Sequence, residues 1–102
     1  MKKIFLLYVV FPNEKEARKV GKYLVEKNFV ACVNLFPVKS LYKWKNRIEE
    51  SNEVVMIAKV EKDKVEKVVK EIERKHPYEI PFIAKFSVEV CEKYFDWMKK
   101  LE

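Results

Sequence analysis

Apolar residues follow two different spacings along this chain, and each change of spacing marks a predicted element. Residues 4–11 form a continuous apolar run that ends at Pro12, which is typical of a strand buried on both faces. A helix is predicted next, because apolar residues then recur every three or four positions, at Ala17, Val20, Gly21, Leu24 and Val25.

The first helix has recognisable start and stop signals. Asn13 with Glu16 three residues later forms a helix-start signature. Asn28 tolerates the left-handed conformation in which helices often end. Gly21 is the only glycine of the chain, and its place inside the apolar stripe indicates close packing against a strand.

Two long strands joined by a tight turn are predicted in the middle of the chain. Residues 29–45 form the first strand, broken or bent near Pro37, and residues 47–60 form its partner. The reversal lies at Lys45 and Asn46, because a two-residue type I′ turn needs positive φ and asparagine tolerates it.

This turn sets the register and the reach of the hairpin. Trp44 should lie opposite Arg47 and Tyr42 opposite Glu49, with Ser40 on the same face. Each arm should span about 45 to 55 Å at about 3.3 Å per residue. A compact domain of this size is only about 35 Å across. The hairpin is therefore expected to project beyond its domain and to self-associate, because exposed aromatic strands otherwise aggregate.

The second half of the chain repeats the order of the first. A helix is predicted over residues 62–75, a strand over 80–88 and a final helix over 89–101. The order βαββαβ plus a C-terminal helix predicts an α+β, ferredoxin-like fold with an antiparallel sheet. Residues 1–102 are expected to form a single domain.

A rigid segment follows the second helix. His76-Pro77-Tyr78-Glu79-Ile80-Pro81 contains the only histidine and two of the four prolines. Proline disfavours helix both at its own position and at the residue before it, so the helix should end at about Lys75. The segment is either a plain helix stop or a site that uses its imidazole, phenol and carboxylate.

Composition narrows the class of protein. A content of 49% hydrophobic residues excludes disorder, and 37% charged residues, mostly Lys and Glu, with no Thr or Gln favours a thermophilic source. The net charge of +6 is interleaved with acids, so no nucleic-acid partner is expected.

The N-terminus and the cysteines point to an ordinary intracellular protein. The apolar run after Met1 is followed by charged residues without a cleavage pattern, so a cytoplasmic location with no membrane partner is expected. Cys32 and Cys91 have no metal-ligand spacing and are expected to be buried thiols. His76 with a cysteine or serine is the only conceivable catalytic set, and no catalytic residue or enzyme activity is predicted.

Several short patterns together resemble the CutA divalent-cation tolerance family. They span residues 4–97 and comprise Ala31-Cys32-Val33-Asn34, Ser40-x-Tyr42-x-Trp44, Glu53 with Lys59, His76-Pro77-Tyr78-Glu79-x-Pro81, and Tyr94-x-x-Trp97. The resemblance implies a homotrimer built through the long hairpins, similar to the PII signalling proteins. It also implies a non-enzymatic role in divalent-metal, especially copper, tolerance. The alternative is a PII-like signalling or scaffold trimer that binds a protein or small-molecule effector.

The resemblance also suggests site residues. Tyr42, Trp44, Lys59 and Tyr78 are expected to line clefts between subunits. His76 and Glu79 are the candidate metal ligands, for Cu(II) or another divalent ion.

Metal binding is expected to be weak, and no cofactor is required. Relatives implicated in copper binding carry a cysteine late in the first strand and a second histidine before the His-Pro pair. Here those places hold Val9 or Val10, and Lys75.

Overall fold

The computed structural model describes residues 1–101. Seven main elements follow one another in the order β1 Lys2–Phe11, α1 Glu14–Glu26, β2 Cys32–Trp44, β3 Arg47–Val60, α2 Val65–Lys75, β4 Ile83–Val90 and α3 Glu92–Lys99. A single 3-10 turn, Lys62–Lys64, leads into α2. The predicted α+β order of elements is confirmed.

The four strands form one antiparallel sheet in the order β2-β3-β1-β4. Alternate residues of the central strands face α1 and α2 and form the core with them. This core contains Leu7, Val9, Phe11, Met56, Ala58 and Val60 from the sheet, and Ala17, Val20, Leu24, Val68 and Ile72 from the helices. Both long helices therefore cover the same side of the sheet, as in a ferredoxin-like sandwich.

Helix α1 begins and approaches the sheet as predicted. The Asn13 side chain accepts a hydrogen bond from the Glu16 amide at 2.9 Å. A Cβ added at Gly21 would stand 3.0 Å from Cγ2 of Val33, so only glycine fits this helix against β2 without a shift. Asn28 follows the helix with φ of 59°, the left-handed conformation expected of it.

The opposite side of the sheet has no long helix over it. We call it the open face; its residues include Leu6, Tyr8, Phe36, Tyr42, Trp44, Ile57 and Phe86. Trp44 is 59% exposed and Phe86 51% exposed. Helix α3 touches β1 and covers only part of this face. The sheet thus has one buried side and one that is largely apolar and accessible.

The hairpin of β2 and β3 projects as expected. Lys45 and Asn46 have φ of 50° and 61°, which confirms a turn with positive φ at both central positions. Trp44 pairs with Arg47, so the predicted register is confirmed. The molecule measures 48 × 25 × 21 Å, and the long axis exceeds the width of a compact domain of this length.

Some predicted element ends were wrong by two or three residues. Strand β2 begins at Cys32 instead of residue 29, because the amide of Phe29 still donates to Leu24 at the end of α1. Strand β4 begins at Ile83 instead of residue 80 and ends at Val90. The proline-containing segment before it cannot join the ladder, and α3 starts correspondingly later, at Glu92.

Two further expectations need correction. Strand β2 is not broken at Pro37, because β2 is an edge strand and its outward N–H positions need no partner in the sheet. Cys91 is exposed and Cys32 is half-buried, so the prediction of two buried thiols was wrong. Cys91 precedes α3 directly and lies outside the core.

Candidate functional site

The segment after α2 is held against the end of β1 by its histidine. His76 ends the helix with φ of −70° and ψ of 139°, the extended conformation that a following proline requires. The imidazole is only 8% exposed. It stacks on the ring of Phe11 with 4.4 Å between ring centres. The segment is therefore anchored where the core meets the open face.

Both ring nitrogens of His76 have hydrogen-bond partners within the chain. Nδ1 accepts the amide hydrogen of Tyr78 at 3.0 Å. The ring proton must then reside on Nε2, which donates to the carbonyl oxygen of Val10 at 2.7 Å. A metal ion at either nitrogen would have to displace one of these contacts.

The surroundings of His76 favour the neutral ring. Burial lowers the pKa of His76 from its ordinary 6.5. The hydrogen bond to Val10 and the charge of Glu16 on α1 act in the opposite direction and are the smaller effects. A neutral imidazole is also the form that accepts the Tyr78 amide hydrogen.

Tyr78 links this segment to the hairpin. Its hydroxyl donates to Oε2 of Glu53 on β3 at 2.6 Å. Burial, followed by this hydrogen bond, raises the pKa of Tyr78 to about 12. The Ser51 hydroxyl lies one step along the same face and donates to the Tyr42 hydroxyl at 3.4 Å. Tyr42 and Tyr78, two of the predicted cleft residues, therefore belong to one polar cluster.

The other predicted cleft residues lie at a distance within the protomer. Trp44 pairs with Arg47, six residues along β3 from Glu53, and Lys59 lies six residues away in the other direction. At about 3.3 Å per residue, each is about 20 Å from the Tyr78 contact. Glu79 is exposed to solvent beside the cluster. One protomer therefore does not bring all the predicted cleft residues together.

Glu53 and the pair Tyr94 and Trp97 were recognised in the sequence only as parts of a resemblance. The ammonium group of Lys59 stands 5.3 Å from the centre of the Tyr94 ring. The rings of Tyr94 and Trp97 are 5.5 Å apart. Strand alternation places Glu53 on the face of Tyr42, which was a usable signal. No sequence spacing predicts the contact between β3 and α3.

Carboxylates, thiols and imidazole are dispersed in the protomer. Within residues 1–101, no three His, Cys, Asp or Glu side chains stand close enough together to hold a metal ion. A tight metal site usually has at least three protein ligands. Metal bound with such a set would therefore need ligands from a second chain.

Comparisons with a family model and with known proteins identify the same family. The CutA1 divalent ion tolerance protein family matches residues 5–101. The divalent-cation tolerance protein CutA of Thermotoga maritima is 37% identical over 98 residues, which cover 95% of this chain and 97% of that protein.

Solved structures agree with the sequence match. The CutA1 of Ehrlichia chaffeensis superposes with a TM-score of 0.92 at 31% identity and covers 97% of this chain and 94% of that one. The CutA of Archaeoglobus fulgidus gives a TM-score of 0.87 at 33% identity, with 96% of each chain covered.

The location expected from the sequence needs correction. The Archaeoglobus fulgidus protein is described as a periplasmic divalent cation tolerance protein. The prediction of a cytoplasmic location was therefore wrong, because the features that argue against a signal peptide do not determine a compartment. Across residues 1–101, no helix has the length and apolar character needed to cross a membrane.

Proposed function

Because this chain belongs to the CutA1 divalent ion tolerance family, we propose that it acts in divalent-metal tolerance as a non-enzymatic homotrimer. In this proposal the trimer binds copper or another divalent cation at clefts between its subunits. The tolerance role rests on the family. The trimer and the clefts are inferred from the surface of the protomer, and copper from the sequence resemblance and the affinity order of divalent ions.

The open face is the observation that carries the proposal. Tyr42 and Trp44 project from a hairpin that overshoots the domain, and Phe36 and Phe86 are exposed on the same face. Exposed aromatic side chains spread along long strands are a hazard for a monomer, because they bind other chains. A closed symmetric assembly of identical chains removes this face from water.

The cleft is proposed at the junction between the hairpin and the segment after α2. Tyr78 and Glu53 are already bonded there, and Tyr42 lies beside them. Trp44 and Lys59 are each about 20 Å away along β3 in the same protomer. A cleft that includes all of them is therefore assigned to neighbouring subunits, with Trp44 and Lys59 both supplied by other copies.

His76 and Glu79 remain the proposed cation ligands. A cation at His76 must break a hydrogen bond of a buried ring, which costs about 1–3 kcal/mol. Binding should consequently be weak. Cu(II) should bind more tightly than Zn(II), Ni(II) or Co(II), as for most sites with nitrogen and oxygen ligands.

Calorimetric titration with Cu(II) and Zn(II) tests this site. Cu(II) affinity should fall by about tenfold or more in His76→Ala and in Glu79→Gln, because each removes one ligand. Glu66→Gln is the matched control, since Glu66 is an exposed glutamate in the first turn of α2, at the opposite end of the helix from His76. The metal should also be released as His76 takes up a proton, at a pH below the ordinary 6.5 because burial lowers the pKa of His76.

His76→Ala removes a buried side chain and can disturb folding. Glu79→Gln changes an exposed side chain, so a loss of copper affinity in that variant does not come from misfolding. Copper affinity unchanged in both variants would contradict the site. Equal losses in the Glu66→Gln control would assign the effect to overall surface charge.

A further inference from the structure

Tyr78 joins the segment after α2 to the hairpin through two hydrogen bonds. Its amide donates to Nδ1 of His76 at 3.0 Å, and its hydroxyl donates to Oε2 of Glu53 on β3 at 2.6 Å. The second bond has a carboxylate as its acceptor, and hydrogen bonds to charged groups are stronger than bonds between neutral groups. Tyr78 therefore connects an imidazole nitrogen to a carboxylate on another element.

The imidazole of His76 is itself fixed to the sheet. Its Nε2 donates to the carbonyl oxygen of Val10 at 2.7 Å, and its ring stacks on Phe11 with 4.4 Å between ring centres. Both partners belong to β1, an inner strand of the sheet. When a ligand takes Nδ1, the Tyr78 amide must therefore move away from the ring.

Nδ1 is the nitrogen that a cation shared between His76 and Glu79 would use. It faces the backbone of the segment that carries Glu79, whereas Nε2 faces the backbone of β1. Glu79 directly follows Tyr78 and is exposed. The single lone pair of Nδ1 can accept either the amide hydrogen or a cation. The Tyr78 amide thus competes with the cation for this nitrogen.

We propose that Glu53 is a positioning residue that controls, through Tyr78, how readily Nδ1 of His76 becomes free for a cation. The bond to Glu53 holds the phenol on β3 and with it the Tyr78 amide on the imidazole. A cation must break this arrangement, so its affinity is reduced by the free energy that the arrangement contributes. The inference rests on the cation site of the proposed function and adds a restraint that the hairpin places on that site.

Tyr78→Phe tests the restraint, because it removes the hydroxyl and keeps the ring, whose centre lies 5.1 Å from that of His76. Calorimetric titration of the assembled protein should give a Cu(II) affinity about threefold to tenfold higher in this variant than in the unmodified chain. A gain distinguishes positioning from general structural support, because a loss of support weakens a site. Tyr23→Phe is the matched control, since it removes another tyrosine–glutamate hydrogen bond, to Glu71 between α1 and α2. Its Cu(II) affinity should equal that of the unmodified chain.

Two variants of Glu53 test the carboxylate. Glu53→Leu removes the acceptor and should raise Cu(II) affinity as Tyr78→Phe does, whereas Glu53→Gln keeps an acceptor oxygen and should restore most of the lower affinity. Both variants remove the same charge, so the difference between them isolates the hydrogen bond. The double variant Tyr78→Phe with Glu53→Leu should bind Cu(II) no more tightly than Tyr78→Phe alone, because both changes break one bond.

Hydrogen exchange at the amide of residue 78, measured by nuclear magnetic resonance without metal, tests the restraint independently of copper. This amide should exchange faster in Tyr78→Phe and in Glu53→Leu than in the unmodified chain, because the segment opens more often once its anchor is lost. Exchange in Glu53→Gln should be close to that of the unmodified chain, and exchange in Tyr23→Phe should be unchanged.

The two measurements separate failure of the inference from failure of the cation site. Equal amide exchange in Tyr78→Phe and the unmodified chain would overturn the inference and leave the cation site standing. An equal or lower Cu(II) affinity in Tyr78→Phe, where copper binds the unmodified chain, would overturn the inference as well. Copper that binds neither chain saturably would contradict the cation site, and faster exchange in Tyr78→Phe would then still support the restraint on Nδ1.

Discussion

A single side chain, His76, connects three parts of the protein through its two nitrogens and its ring face. It binds the β1 backbone at Val10, the amide of Tyr78 in its own segment and the ring of Phe11 in the core. Few other side chains could replace it, because the position needs one donor, one acceptor and a flat ring. This structural role uses both ring nitrogens, so a metal ion binds His76 only by displacing one of these contacts.

The pH dependence of stability should reveal the environment of Tyr78. An unfolded tyrosine loses its proton near pH 10, whereas the pKa of Tyr78 is raised to about 12 in the folded chain. Between these values the folded state holds more protons, so the free energy of unfolding should decrease as pH rises. The contribution is fully present below about pH 10.

Denaturant unfolding of the unmodified chain and of Tyr78→Phe between pH 9 and about pH 12 measures this contribution. The advantage of the unmodified chain should narrow over that interval, because the phenylalanine variant has no proton to lose at this position. A constant difference across the interval would show that Tyr78 is not shielded by burial and Glu53.

The same residues show what sequence could predict about the site. Pro77 and Pro81 made a rigid segment predictable, because proline restricts local backbone angles. Val10, the partner of His76, lies 66 residues from it in the sequence, and Glu53, the partner of Tyr78, lies 25 residues from it. Only the folded sheet brings these partners close together. Sequence therefore left the structural and ligand roles of His76 open.

At the scale of elements, α1 and α2 are joined by a polar cluster on their outer surface. The Tyr23 hydroxyl donates to Glu71 at 2.5 Å, and the Arg74 guanidinium donates to the same carboxylate at 2.8 Å. The Lys75 ammonium group lies 4.1 Å from the centre of the Tyr23 ring. The hydrogen bond from Arg74, followed by that from Tyr23, lowers the pKa of Glu71 to about 2.

This carboxylate should make the helix pair sensitive to acid. Its contribution is present above the ordinary glutamate pKa of 4.5 and is lost as pH falls from there to about 2. Glu71→Gln should lower the melting temperature at neutral pH and match the unmodified chain near pH 2. Glu73→Gln, at an exposed position of the same helix, should change the melting temperature neither at neutral pH nor near pH 2. Equal acid profiles for Glu71→Gln and the unmodified chain would contradict this account.

The turn between β2 and β3 gives a second prediction for an element. Asn46 has φ of 61°, so Asn46→Gly should be neutral or slightly stabilising. Asn46→Val should lower the free energy of unfolding by about 1–2 kcal/mol, because a β-branched residue is strained there. Chemical denaturation measures both. Clear destabilisation by glycine would contradict the tight turn.

Element types could be predicted from the sequence, whereas several element ends could not. Apolar spacing identified both long helices, and the turn residues gave the hairpin register, because these signals are local. Residues 29–31 are apolar like the strand that follows, yet the Phe29 amide is used by α1. Strand β4 starts late because the segment before it contains Pro81, which has no amide hydrogen to donate to the ladder.

At the scale of the whole molecule, the hairpin tip is apolar on both sides. Tyr42 and Trp44 belong to the open face, while Leu41 and Ile48 lie on the side of the helices, beyond the reach of the core. An assembly that covers only the open face would leave the second pair accessible. The two pairs therefore make it possible to test which side of the hairpin carries the association.

Light scattering should give a mass three times the 12.3 kDa of one chain, even at micromolar concentration. Trp44→Ala should weaken association by a few kcal/mol per site, because truncation of an aromatic anchor leaves a cavity in the interface. Ile48→Ala is the matched variant on the other side of the hairpin and should weaken association less. A mass near that of one chain for the unmodified protein would contradict the trimer and the intersubunit clefts. A larger loss with Ile48→Ala than with Trp44→Ala would instead move the interface to the helix side of the hairpin, and the open face would then need a different partner.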